Sequence, residues 1–477
     1  IVNRQKEIDN FEPEPYWVLA TIYRDTTFTA TKGKFTTKEE GEQAFATIEG
    51  KPFTVTDVQK KRGTEAPPHL YDLTSLQVDC NRKFGMSADM TLKIIQTLYE
   101  RKLTTYPRVD TQYLSDDIYP KCGGILNGIK GYDQLLTALR GKPLKKSKKV
   151  FDTSKVTDHH AIIPTGVPAQ GLTDMERHVY DLIARRFISV FYPDCKFATT
   201  TVMGDVDGIE FKATGKLILD PGWRAVYAKD AADRQTADDG DAKPQDEERT
   251  LPAFEKGESG EHTPTLTEKW TTPPKYYTEA TLLRAMETAG KFVDNEELRA
   301  ALKENGIGRP SSRAGIIETL FKRHYIRRER KNLVATATGI ELIDLIKEEL
   351  LKSCELTGIW EKKLRDIEHK TYDPAQFISE LKEQIATIVH DVLSDNSNRR
   401  VTILTEEDLK KKTKRKTAAK PKATTATKSA AKPGDAAGVK PGDVCPVCGK
   451  GVVIKGKTAY GCSRWKEGCS FRLPFEQ

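Results

Sequence analysis

Leu103-Thr104-Thr105-Tyr106-Pro107-Arg108-Val109-Asp110-Thr111 is the stretch from which the rest of the chain can be understood. Pro107 fixes the backbone directly after the tyrosine and removes an amide donor. Arg108, two residues on, brings a permanent cation whose forked donor face suits a phosphodiester oxygen. Such a cation also eases ionisation of a phenol, whose reference pKa is about 10. A tyrosine in a strand or turn is ordinarily a packing residue. These neighbours instead make Tyr106 a candidate nucleophile, with Asp110 beside it.

Working outward, Met90, Leu92, Ile94, Ile95, Leu98 and Tyr99 recur near helical spacing after the cap candidate Ser87, which predicts a helix running into this stretch. Aromatic and β-branched runs at 16–22 and 52–56 predict antiparallel strands, and strand-like composition returns at 198–227. Helical periodicity marks 174–192, 278–290, 311–323 and a long amphipathic region from 338 to 395. Residues 230–250 hold eight acids and three bases with almost no large apolar side chain, which predicts a mobile surface loop. Residues 410–440 hold eleven Lys or Arg against one acid, a linker or tail with salt-sensitive affinity for a nucleic-acid backbone.

The whole chain has 477 residues and a formal charge of +8, from 77 Lys or Arg and 69 Asp or Glu. This length predicts about three domains and excludes a small disulfide-stapled scaffold. No run approaches the roughly 18 uncharged apolar residues of a membrane span, so a soluble protein is expected. Cys80, Cys122, Cys195 and Cys354 are scattered singly and are expected to be reduced and structural. The first residues, Ile1-Val2-Asn3-Arg4-Gln5-Lys6-Glu7-Ile8, read like an amphipathic helix entered partway, which predicts an N-terminally truncated chain.

The residues also carry a resemblance. Tyr71-Asp72-Leu73-Thr74-Ser75-Leu76-Gln77, Asn81-Arg82-Lys83-Phe84-Gly85 and Thr105-Tyr106-Pro107-Arg108-Val109-Asp110 together resemble the active-site region of type IA DNA topoisomerases, closest to bacterial topoisomerase III. Asp158-His159-His160-Ala161-Ile162-Ile163-Pro164-Thr165 is similar to the family's histidine motif. Pro274-Lys275-Tyr276-Tyr277-Thr278-Glu279-Ala280-Thr281-Leu282 and Gly306-Ile307-Gly308-Arg309-Pro310-Ser311-Ser312-Arg313 are similar to its later blocks, in the expected order.

The resemblance implies that Tyr106 attacks a phosphorus of single-stranded DNA, giving a 5′-phosphotyrosine and a 3′-hydroxyl, and that the reverse attack reseals the strand. Bond energy is kept, so no ATP is needed, in agreement with the absence of a Gly-x4-Gly-Lys-Ser/Thr loop. It further implies that Arg108 and His159 contact the scissile phosphate, that Asp110 and His160 support them, and that Gln77, Asn81, Arg82, Arg309, Ser311, Ser312 and Arg313 bind DNA. Adjacent histidines diverge by about 100° on a helix and face opposite ways on a strand, so His159 and His160 make a poor chelate by themselves. The family's magnesium site belongs to an N-terminal domain not found here. The 477-residue chain is therefore expected to bind DNA without relaxing it, with magnesium needed in the full-length enzyme.

Cys445-Pro446-Val447-Cys448, thirteen residues, Cys462, six residues and Cys469 have the spacing of a tetrahedral zinc site across a hairpin. The last gap exceeds the usual two to four. The segment resembles the zinc ribbons at topoisomerase C-termini, with Tyr460, Trp465 and Phe471 either stacking on bases or forming the ribbon's small core.

The architecture implied is a multidomain α+β protein. It has an arch from 1–75 and 201–270 with an acidic loop at 228–262, and a gate from 76–200 carrying the tyrosine. A helical DNA-binding base at 271–400, a basic linker at 401–443 and a zinc ribbon at 444–477 follow. The expected activity is relaxation of negative supercoils and decatenation by a DNA-associated cytoplasmic monomer, with a helicase as candidate partner and no membrane. Two rivals differ in class. A plasmid relaxase needs alternating histidines near its tyrosine, and no His-x-His pair occurs. A noncatalytic single-stranded DNA-binding protein would rely on the ribbon and basic tail alone.

Overall fold

The computed structural model describes residues 1–228, 249–394, 400–403, 443–445, 452–455, 459–463 and 471–474. They fall into two compact units, Ile1–Leu404 and Thr405–Gln477.

The first unit is organised by a seven-stranded antiparallel sheet in the order β6-β3-β4-β5-β2-β1-β7. Its strands are β1 (Pro15–Tyr23), β2 (Thr26–Ala30), β3 (Phe53–Glu65), β4 (Cys195–Val206), β5 (Ile209–Asp220), β6 (Ser259–Gly260) and β7 (Thr263–Trp270). Alternation in β2, whose residues are buried and exposed in turn, puts Phe28 and Ala30 into a core shared with Leu19, Phe53, Val202 and Phe211. Helix α1 (Val2–Asp9) precedes the sheet, and α2 (Lys38–Ile48) starts at a Thr37 cap. The acidic loop expected at 228–262 is corrected in its second half. Residues 229–248 lie outside the described residues, but beyond them Phe254 is buried in the sheet core and β6 pairs with the start of β3. Apolar anchors at Leu251 and Phe254 hold this part to the sheet.

Between β3 and β4 the chain leaves the sheet to build a second core. Helix α3 (Leu73–Phe84) opens with a capping box between Asp72 and Ser75 and ends at Gly85, whose φ of +67° is the left-handed turn that glycine makes without strain. Helix α4 (Ala88–Glu100) follows, with the Ser87 side chain accepting from Met90 N. Helices α5 (Tyr119–Gly128), α6 (Asp133–Thr137) and α7 (Asp174–Ser189) complete this body around Leu76, Ile95, Ile163, Ile183 and Phe187. Burial pushes the Cys122 thiol up to about 11 and the Cys80 thiol up to about 12.

After β7 come α8 (Glu279–Glu287), α9 (Glu296–Asn305), α10 (Pro310–Lys322), the hairpin β8–β9 (Ile326–Glu329, Asn332–Ala335), α11 (Ala337–Leu345), α12 (Glu355–Glu368) and α13 (Pro374–Leu393). Helices α3 and α4 meet α8 and α10 along a seam with an apolar centre of Val78, Ala88, Ala280, Leu283, Ala314 and Ile317. Polar bonds flank it. Glu279, only 3% exposed, accepts from Ala88 N at 2.8 Å and so caps α4 from across the seam, while its other oxygen accepts from Arg328 Nε at 2.8 Å. Asn81 accepts from Ala280 N at 3.0 Å.

Glu279→Ala leaves the buried Ala88 N–H without an acceptor, which costs about 1–3 kcal/mol. Arg328 is 41% exposed in its side chain and turns to water, so its lost ion pair adds little. Thermal unfolding should show a drop of a few degrees in the midpoint of this unit, with Glu279→Gln closer to wild type. An unchanged midpoint in Glu279→Ala would mean that the cap contributes nothing.

The second unit contains a three-stranded antiparallel sheet, β10 (Val453–Lys455), β11 (Ala459–Cys462) and β12 (Arg472–Pro474), in the order β10-β11-β12.

Candidate active site

The loop after α4 is set by one turn. Lys102, at φ +60°, donates to Tyr99 O at 2.8 Å, and Leu103 N donates to Leu98 O at 2.9 Å. The chain then runs beside 161–165. Thr105 N donates to Ile163 O at 3.0 Å, Thr165 N to Leu103 O at 3.1 Å, and Thr105 Oγ1 accepts from Ile163 N at 3.0 Å while donating to Ala161 O at 3.2 Å. Because Tyr106 directly follows one of these paired stretches and His159 closely precedes the other, the pairing brings the two together. Their ring centroids lie 4.4 Å apart at an interplanar angle of 38°.

Burial then alternates. Pro107 and Val109 are buried while Arg108 and Asp110 are exposed and Tyr106 is half-buried, so the polar side chains are the ones left accessible to solvent. Neither Arg108 nor Asp110 bonds another described side chain. The backbone beneath is anchored by Leu73 N to Val109 O at 3.1 Å, Gln112 Nε2 to Asp72 Oδ2 at 2.9 Å, and Thr111 Oγ1 to Lys155 O at 2.6 Å. Underneath, Ile162 N donates to Tyr71 O at 2.8 Å, and the Tyr71 hydroxyl donates to Asp79 at 2.6 Å while accepting from Arg186 at 2.7 Å. Burial holds the Tyr71 phenol well above the ordinary tyrosine range, which makes it a protonated strut rather than a second nucleophile.

The two histidines separate as their adjacency requires. His159 is exposed against Tyr106, whereas the half-buried His160 places Nδ1 2.8 Å from Ala161 O.

Of the expected DNA contacts, Arg82, Arg309 and Ser312 are exposed and Ser311 is half-buried, with Arg309 and both serines at the start of α10. Gly306 precedes them at φ +64°, where a Cβ would come within 2.3 Å of Met286 O. Three other expectations are corrected. Gln77 is 0% exposed and donates to Ala88 O at 3.0 Å, and Arg313 is 2% exposed and donates to Thr74 Oγ1 at 2.7 Å. The half-buried Asn81 donates to Met86 O at 2.9 Å, besides accepting from Ala280 N. All three are packed between helices: Asn81 and Arg313 find partners across the seam, whereas Gln77 joins α3 to α4 through its amide nitrogen alone, and its buried oxygen has no partner among the described residues.

Sequence reasoning missed Tyr99. It was counted among the apolar positions of α4, but it is 38% exposed and meets the Tyr106 ring edge-on, with centroids 5.5 Å apart at 83°. The six-residue gap to Tyr106 was the available signal, but it says nothing of the turn at Lys102 that folds the gap shut.

Among the described residues no three His, Cys, Asp or Glu side chains come together to hold a metal ion, so they do not fit the magnesium that the resemblance implies. In the second unit, Cys445 and Cys462 are both buried. Both lie beside β10, since Val444 bridges Val452 and Val453 pairs with Cys462. Cys448 and Cys469 lie outside the described residues, as do Trp465 and the linker at 404–442. No helix among the described residues is long and apolar enough to cross a membrane.

Residues 1–379 match the profile of the family described as DNA topoisomerase. The chain is 36% identical over 411 residues to the Bacillus licheniformis protein named DNA topoisomerase 3 and 38% identical over 416 residues to the one of that name from Bacillus anthracis; each alignment covers 83% of this chain and 55% of the relative. The solved full-length topoisomerase I of Thermotoga maritima shares the fold with a TM-score of 0.60 at 23% identity, covering 81% of this chain and 61% of that one. The chain belongs to the DNA topoisomerase family, in its type IA, topoisomerase III-like branch. It spans about half the length of the curated relatives it matches.

Proposed function

We propose that this chain supplies the strand-cleaving tyrosine of a topoisomerase III-like enzyme. Tyr106 attacks a phosphorus of single-stranded DNA, the phosphodiester becomes a 5′-phosphotyrosine, and the departing oxygen leaves as a 3′-hydroxyl that later attacks in reverse. Each step exchanges one phosphoester for another, so the cycle needs no ATP, and its expected outcome is relaxation of negative supercoils and decatenation. The observation that carries the reading is the His159 ring against the phenol of Tyr106, with Arg108 exposed two residues on. In this reading Arg108 and His159 steady charge on the scissile phosphate. Asp110 and His160 support them, and Arg82, Arg309, Ser311 and Ser312 hold the DNA backbone.

The test is to incubate the intact protein with a labelled single-stranded oligonucleotide, digest it, and locate the label. A nucleotide adduct on Tyr106 supports the reading. Binding without any adduct would leave the noncatalytic DNA-binding alternative in its place.

The second unit is proposed to be a zinc ribbon with Cys445, Cys448, Cys462 and Cys469 as ligands, supported by two buried cysteines beside one strand of a small antiparallel sheet. One zinc per chain is expected by elemental analysis, lost in Cys445→Ser. Zinc absent from wild type, or retained in full by the variant, would remove this site.

A further inference from the structure

We infer that Tyr99 is a positioning residue for the nucleophile, one wall of an aromatic clamp whose other wall is His159. This rests on the assignment of Tyr106 as the nucleophile. A tyrosine side chain turns about two bonds, and the described residues offer the Tyr106 hydroxyl no hydrogen bond to hold it. What surrounds the ring is aromatic. Tyr99 meets it at 83° with centroids 5.5 Å apart, the edge-to-face arrangement favoured by ring quadrupoles, and His159 lies at 4.4 Å and 38°.

The clamp is fixed to the backbone on both sides. Tyr99 stands in the last turn of α4, and its carbonyl accepts from Lys102 N at 2.8 Å, closing the turn that leads to the nucleophile. His159 lies on the approach to the stretch that pairs with Leu103 and Thr105. The spacing between clamp and phenol is therefore set by backbone hydrogen bonds, leaving the rings to select one orientation of the Tyr106 side chain.

Packing of α4 does not account for Tyr99. Thr91, Ile95 and Leu98 supply the buried face of the helix and are each 0% exposed, whereas Tyr99 keeps 38% of its surface in water. Its hydroxyl bonds no described residue. The ring is the part that matters, and its neighbour is the nucleophile.

Orientation acts on the rate rather than on affinity, because a phenol aimed away from the phosphorus must first return to it. Losing one edge-to-face partner is expected to slow covalent adduct formation by about 3- to 10-fold. The experiment uses the intact protein and a saturating labelled oligonucleotide. Tyr99→Leu should lower the single-turnover rate by that factor with oligonucleotide affinity and melting temperature held near wild type, and Tyr99→Phe should recover most of the lost rate. Adding His159→Ala to Tyr99→Leu should give an effect that differs from the product of the two single effects, since both rings bear on one phenol.

Three outcomes would overturn the inference. They are a Tyr99→Leu rate equal to wild type, a fall in affinity with the saturated rate unchanged, which would make the ring a base-stacking platform, and a fall in melting temperature that tracks the rate, which would make it packing. If the wild-type protein forms no adduct at Tyr106, the functional assignment fails first, and that result is read before any variant.

Discussion

Tyr106→Phe in the intact protein is expected to abolish covalent adduct formation, relaxation and decatenation while leaving affinity for single-stranded DNA within about threefold. The substitution removes one oxygen and keeps the ring, so the contacts with Tyr99 and His159 persist and the loop retains its pairing with 161–165. Removing a nucleophile outright costs on the order of 10⁴-fold or more in rate, because surrounding groups that stabilise charge have nothing to act on. No neighbouring phenol is expected to substitute. Tyr71 is buried and held protonated, and Tyr99 stands on α4 rather than on the loop that carries Arg108. The check is a gel assay for labelled adduct beside a filter-binding titration. Cleavage surviving in the variant would mean that Tyr106 is a packing residue after all.

Arg108→Ala should give the next largest loss. Arg108 is exposed, bonds no described side chain, and stands two residues from Tyr106, so its fork is free to take a phosphate. Removing a donor that meets charge building in a transition state typically costs about 10²- to 10³-fold. Arg108→Lys should be intermediate, since an ammonium restores the charge without the two parallel bonds of the guanidinium. Stability should barely move, because the side chain is exposed and the backbone is held by Pro107 and Val109 on either side. Single-turnover cleavage rates beside melting curves separate the two effects. Wild-type rates in both variants would assign the arginine no part in the chemistry.

What could be read from the sequence was local. Ser87 announced the start of α4, and the structure has its side chain on Met90 N. The adjacency of His159 and His160 forced them apart, and only one of them meets the tyrosine. What stayed hidden depends on partners far along the chain. Gln77, Asn81 and Arg313 have the polar chemistry of DNA contacts and sit in family motifs, but whether a polar side chain faces water or a neighbouring helix is decided by what packs against it. For Arg313 that neighbour is Thr74, 239 residues away. Glu279 likewise shows its function only once α4 is seen to start at its carboxylate. Tyr99 was obscured by a different cause, because helical periodicity cannot distinguish a ring packed into a core from one left at its edge.

The strands on which the tyrosine-bearing body hangs have a mechanical meaning. β3 and β4 stay paired as far as Glu65 and Cys195, so the chain leaves the sheet and returns to it at a matched pair of residues. β5 accompanies them to Asp220, and the short helix that follows, Gly222–Tyr227, docks into the inserted body through Val226 while the Trp223 indole donates to Glu65 O at 2.9 Å. β1 and β7 do not pair with this part of the sheet, so β3, β4 and β5 project from it as a tongue. Once the seam between the inserted body and α8 and α10 parts, a tongue rooted at one end is a cantilever. From Val58 to Glu65 it extends roughly 25 Å at the usual rise of a strand, and a bend of about 20° would sweep its tip through roughly 9 Å. That travel requires no slack in the connections, because both crossings ride on the same lever and arrive together.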